Sequence, residues 1–125
     1  MTPKTTTPAF LARAAVEGML CSLADGLSAL ERVGVTVERL LLIGGAAQNT
    51  AVRSIAAEVF GRDIEIPEPG EYVARGAALQ AAWVFTGTRP SWQPAVTIIA
   101  GDPRPDILER YRRSTASPHP SGLLG

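Results

Sequence analysis

At 125 residues and 13.2 kDa, the chain is one domain at most. An apolar content of 46% against 19% charge excludes a disordered chain and allows a modest core. A formal net charge of zero leaves no electrostatic footprint for nucleic acid or an anionic membrane. Cys21 is the single cysteine, so no disulfide framework or thiolate metal site is expected, and its apolar helical setting marks a small buried hydrophobe. No apolar run approaches the roughly 18 residues of a membrane span, and the N-terminus lacks a signal-peptide core. The expected location is the cytoplasm.

In chain order, residues 1–7 are polar and threonine-rich, and Thr7-Pro8 reads as an N-cap followed by proline at the first helical position. The first helix runs to about Val33 and stops at Gly34. Leu20, Leu23, Leu27 and Leu30 repeat at 3-4-3 spacing, with Phe10, Ala14, Cys21 and Ala24 on an adjoining stripe, a pattern that predicts burial on at least two sides. Arg13 and Glu17 are placed to pair along its surface, with Glu17 in the core as the alternative. Residues 37–43 form a strand whose end, Leu40-Leu41-Leu42-Ile43, suits cover on both faces. After Gly44-Gly45, Asn49 is placed to cap a helix marked by Val52, Ile55, Ala56, Val59 and Phe60 and ended by Gly61. Residues 63–67 read as a short strand stopped by Pro67 and Pro69.

A third helix over 71–85 ends at Gly87. Its run of small residues, and Gly76 at mid-helix at about 1 kcal/mol against alanine, point to a close approach by a sheet or ligand. Beyond Thr88 the pattern weakens. Trp92 is placed to pin the tail back, residues 96–100 to form a short strand, and Asp106 to cap a last helix over 107–113. Residues 114–125 read as a disordered tail in which His119 is solvated. The fold class is α/β, in the order α-β-α-β-α with an irregular C-terminal tail. Two strands joined through a helix should be parallel, but two are too few for an ordinary sheet. The chain therefore reads as part of a domain.

The glycine turn carries the chemistry. Strand, tight turn and helix N-terminus bring bare backbone up to a flat or phosphorylated ligand. No lysine follows the glycines, so this is no P-loop. The G-x-G-x-x-G of a dinucleotide fold is absent too, although Glu65 stands about twenty residues on, where a ribose-binding acid belongs. A turn with no ligand at all remains the plain alternative.

The segment LLLIGGAAQNTAVRSIAAEVFGRDIEIPEPGEYVARGAALQAAW resembles the C-terminal domain of the FGGY carbohydrate kinases, and RAAVEGML in the first helix fits as well. The resemblance covers about residues 5–95 and is greatest to the xylulokinases. It implies a partial actin/Hsp70/hexokinase-like (ribonuclease H-like) ATPase domain. Residues 1–87 would be the nucleotide-binding part, 88–113 an extension and 114–125 the tail. In that family the turn is the adenosine motif, so Gly45, Ala46 and Asn49 would line the adenosine pocket and Gly44 would shape it. A planar adenine can lie against backbone that lacks Cβ atoms, and the Asn49 amide offers a donor and an acceptor to a purine edge. Ala46 and Asn49 depart from the glycine and serine of many xylulokinases, while Asn49 matches related polyol kinases. Gly76 and Ala77 match a helix that packs beside the nucleotide.

The resemblance further implies ATP as cosubstrate, Mg²⁺ in the intact enzyme, and transfer of the γ-phosphate to D-xylulose. The family's sugar pocket and catalytic aspartate lie in an N-terminal domain. Here the four aspartates, Asp25, Asp63, Asp102 and Asp106, stand outside any such motif. The expected catalytic and metal residues are none, and the isolated chain is expected to be inactive. Its expected partners are ATP or ADP, the sugar only with the missing N-terminal domain, and an N-terminal kinase portion or a second copy. A non-catalytic nucleotide-binding module and a vestigial structural fragment are the alternatives.

Overall fold

The computed structural model describes residues 7–116, so the leading residues and the tail beyond Ala116, with His119, lie outside the described part. Helix α1 spans Pro8–Arg32, and the Thr7 hydroxyl accepts from the Phe10 amide as its cap. Helix α2 spans Thr50–Phe60 and ends on Gly61 in the left-handed conformation. Strand β1 is Ile64–Pro67, α3 is Tyr72–Thr86, β2 is Val96–Ile99 and α4 is Pro105–Thr115. Each helix predicted from periodicity is present.

The core lies where α1, α2 and α4 meet one face of β1. Leu20, Cys21 and Ala24 of α1 pack with Ile55, Ala56 and Val59 of α2, with Ile64 and Ile66 of β1 and with Ile107 of α4. Burial pushes the Cys21 thiol pKa up, as expected of a packing residue. The extended segment 35–43 runs beside β1 and sends Leu40 and Leu42 toward this core.

Three expectations change. Residues 37–43 do not form a full strand. They make one parallel bridge, Leu41 opposite Glu65, closed by Leu42 N–H to the Glu65 carbonyl and Glu65 N–H to the Leu40 carbonyl, both 2.9 Å. The parallel direction is as predicted, and no strand stands on the other edge of this segment among the described residues. Nor is this stretch covered on both faces, for Leu41 and Ile43 remain 44% and 54% exposed. Likewise α1 is covered on one side only: Leu20 is fully buried, whereas Leu23 and Leu30 are half-exposed.

The region after Thr88 is more regular than an irregular tail. Strand β2 pairs antiparallel with β1, Ile64 opposite Ile99 through Pro67 opposite Val96. Helix α4 is clamped to α1 by Arg112, whose Nε donates to the Asp25 carboxylate at 2.7 Å, and it continues through Ser114 and Thr115, where the tail was expected to begin. Asp106 does not cap α4. Arg104 holds that position, and Asp106 lies in the first turn, accepting from Arg104 Nε at 3.0 Å. The hydrogen bond from Arg104 holds the Asp106 carboxyl below the usual carboxylate range.

Glu17 pairs with Arg13 at 2.7 Å, the surface option, and Arg13 also reaches Glu58 on α2. Segment 100–104 closes the C-terminal end of α2, with Asp102 N–H on the Ala57 carbonyl and Arg104 N–H on that of Glu58. The Gly101 amide donates to Asp63 at 2.9 Å. The Arg104 contact satisfies the Glu58 carbonyl at the helix end, while the Ala57 carbonyl accepts from Gly61 N–H as well as from Asp102.

Candidate functional site

The extended segment and β1 are parallel neighbours, so the loops that follow them emerge at the same end. In open α/β sheets that carboxyl end is where ligands sit. The first loop is the glycine turn. Gly44 has φ 100° and ψ 178°, a region that a residue bearing Cβ occupies only under strain. It leads into a short 3-10 turn, Gly45–Gln48, closed by Ala47 N–H on the Gly44 carbonyl at 3.1 Å. Ala47 is buried beneath it. Arg53 fastens the turn from α2, donating to the Ala47 carbonyl and to Gln48 Oε1.

Asn49 caps α2 as its position predicts, accepting from Ala51 N–H at 2.9 Å and Val52 N–H at 3.3 Å through Oδ1. The acceptor is therefore engaged inside the chain. The Asn49 amide nitrogen makes no hydrogen bond among the described residues.

The second loop, residues 67–71, forms the opposite wall. Between the loops lies a cavity of about 340 Å³ lined by Leu42, Ile43, Gly44, Gly45, Gln48, Pro67, Glu68, Pro69, Gly70, Glu71 and Tyr72. That volume is at the small end of ligand pockets. Of the four predicted residues, Gly44 and Gly45 line the cavity; Ala46 and Asn49 stand on the same turn outside its lining. Gly45 has no positive φ, and a Cβ there would meet no atom within 4 Å, so nothing among the described residues demands glycine at that place.

The wall formed by 67–72 is absent from the predicted site. Its signal was available, because the loop after the second of two parallel strands must share an end with the loop after the first. The wall is held by Tyr72, whose hydroxyl donates to the Glu68 carbonyl and whose ring lies 5.7 Å from Trp92. Arg75 stacks over the other side of this cluster, 4.9 Å from the Trp92 ring. Trp92 thus pins the 88–95 segment to α3, as predicted.

The cavity lining holds two glutamates, Glu68 and Glu71, and no lysine, arginine or histidine, with Arg53 behind Gln48 and Arg75 against Gly70. Carboxylates in the lining suit neutral, hydroxyl-rich or amine-bearing groups. Glu65 is withdrawn from ligand duty: Arg39 grips both of its oxygens, with Nε to Oε1 at 2.8 Å, and this hydrogen bonding lowers the Glu65 pKa. The ribose-binding role of a dinucleotide fold therefore has no acid to perform it.

The family model for the C-terminal domain of the FGGY carbohydrate kinases matches residues 1–85. The chain belongs to that family. The xylulose kinase of Streptomyces coelicolor is 38% identical over 106 residues, covering 84% of this chain and 22% of that protein. The glycerol kinase of Rhodopirellula baltica is 40% identical over 119 residues, covering 90% and 22%. The crystal structure of xylulose kinase from Bifidobacterium adolescentis superposes with a TM-score of 0.76 at 42% identity, over 93% of this chain and 24% of that one. The FGGY chain described here thus spans under a quarter of the length of these relatives, and its fold is that of an actin-like ATPase domain, as the resemblance implied.

Proposed function

We propose that this chain supplies the adenosine half of the nucleotide site in an ATP-dependent, xylulokinase-like sugar kinase. The intact enzyme transfers the γ-phosphate of ATP to D-xylulose, yielding ADP and D-xylulose 5-phosphate. The 125-residue chain is inactive alone. One observation supports the reading: a cavity floored by two glycines and lined by two glutamates with no basic residue. A neutral nucleoside suits that lining better than a triphosphate does.

In this reading Gly44 shapes the turn, Gly45 and Ala46 leave backbone open to the flat base, and the Asn49 amide donates to a purine ring nitrogen. ATP supplies the transferred phosphoryl group, and the chain's own residues hold only its nucleoside end. Phosphoryl transfer also needs positioned phosphates, Mg²⁺ and an acceptor for the hydroxyl proton. Among the described residues no three His, Cys, Asp or Glu side chains gather as a metal site, and no step is assigned to Mg²⁺ here. Asp25 and Asp106 are paired with arginines, and Asp63 accepts from the Gly101 amide. Identity to a glycerol kinase, 40%, is as high as that to a xylulose kinase, 38%, so the sugar is chosen outside the residues shared here.

Calorimetry and a coupled ADP assay test the proposal. Adenosine and ATP should bind with affinities within about threefold, a difference under 1 kcal/mol, because the phosphates touch nothing. Asn49→Asp keeps the helix cap and removes the amide donor, so it should weaken binding and leave the melting temperature in place. Turnover of D-xylulose by the isolated chain above a buffer blank overturns the claim of inactivity, and ATP bound far more tightly than adenosine overturns the half-site.

A further inference from the structure

The loop that walls the cavity opposite the glycine turn is fastened from behind, by residues outside the lining. Strand β2 pairs with β1 as far as Pro67 opposite Val96, and the register runs one step further, with Glu68 N–H on the Ala95 carbonyl at 3.0 Å. That register delivers Trp92 beside the 67–71 loop. Tyr72 and Arg75 stand three apart on α3, so both lie on one helix face and meet the same ring. The Tyr72 ring is 5.7 Å from that of Trp92, and the Arg75 guanidinium carbon is 4.9 Å from it. Arg75 makes none of the ion pairs found among the described residues. Its guanidinium instead touches both the indole and the loop, so near that a Cβ on Gly70 would come within 3.1 Å of it. The Tyr72 hydroxyl completes the set by donating to the Glu68 carbonyl. These contacts add nothing to the core, since α3 buries no residue and Trp92 is 38% exposed. Their common effect is to fix where one loop stands.

We infer that Arg75 and Trp92 are positioning residues for the cavity: they hold the 67–71 wall at a set distance from the glycine turn, and through it they set the affinity for a nucleoside. Neither side chain belongs to the lining, so both act through Glu68, Gly70 and Tyr72, which do. The nucleoside as ligand rests on the proposed function; the brace on the wall does not.

Amide exchange on the full chain without ligand tests the brace. Trp92→Ala and Arg75→Ala should each speed exchange at Glu68 and Tyr72, whose amides bond to Ala95 and Gly70, more than about tenfold, while α1 and α2 exchange as in the parent. Calorimetry with adenosine tests the site. Both variants should weaken binding about tenfold, and Trp92→Phe, which keeps a ring, should stay within about threefold of the parent. Gly70→Ala pushes the Arg75 guanidinium off the loop. It should weaken adenosine binding in the parent and add nothing in the Arg75→Ala background, whereas a methyl that merely crowds the ligand would cost the same in both. Unchanged exchange at the two amides, exchange raised alike throughout the chain, an affinity that neither variant moves, or an equal cost of Gly70→Ala in both backgrounds overturns the inference. A parent chain that binds no adenosine counts against the proposed function, and faster exchange confined to Glu68 and Tyr72 then still upholds the positioning of the wall.

Discussion

Single residues here are set by very local demands. Gly101 shows the tightest: a Cβ there would come within 2.8 Å of the Arg62 backbone. Gly101→Ala must push segment 100–104 off the end of α2, and overpacking of that kind costs about 1–3 kcal/mol. Urea unfolding followed by circular dichroism should show the midpoint fall, with the slope unchanged. Gly76 behaves in the opposite way. A Cβ at that position would meet nothing within 4 Å, so the close approach expected of a mid-helix glycine comes from none of the described residues. Asn49 was legible as a cap because capping is a short-range matter of sequence spacing. That its acceptor is thereby withdrawn from a ligand became visible only with the two hydrogen bonds in place.

At the scale of elements, the link between segment 35–43 and β1 rests on two backbone hydrogen bonds and the Arg39–Glu65 pair. The Glu65 pKa is lowered in the folded chain, so its contribution is present above the unfolded value and is lost as pH falls through the folded one. Glu65→Gln should therefore lower the melting temperature at pH 7, and the gap from the parent should close as pH falls below the ordinary glutamate value of about 4.3. A gap that persists at low pH would assign the effect to packing. Helices were legible because each keeps its own hydrogen bonds and shows its apolar stripe at a 3.6-residue period. The segment 37–43 was over-read because a strand borrows its bonds from neighbours that its own residues do not name.

As a whole, the molecule has one dense core and two bare surfaces. Ile64, 1% exposed, sits at the meeting of α2, β1 and the extended segment. Ile64→Ala should cost about 2–5 kcal/mol, a large share of what a domain of this size holds. Denaturant titration should show loss of the cooperative transition or a marked fall in its midpoint. Helix α3, by contrast, buries no residue, with Val73 and Phe85 at about nine-tenths exposed. Among the described residues no helix is long and apolar enough to cross a membrane, so this exposure is not that of a membrane span.

The sequence by itself determined the helices, the Thr7 and Asn49 caps, the glycine turn and the parallel relation of 37–43 to β1, all from periodicity or short spacing. It determined the family from a resemblance that runs over most of the chain. Tertiary structure alone decided that Pro67–Tyr72 closes the cavity, that Arg39 takes Glu65 out of play and that Ile107 joins the core. It also decided that the wall opposite the glycine turn carries two glutamates. Those facts depend on which distant residues share an end of the sheet, and a linear pattern carries no distance between loops.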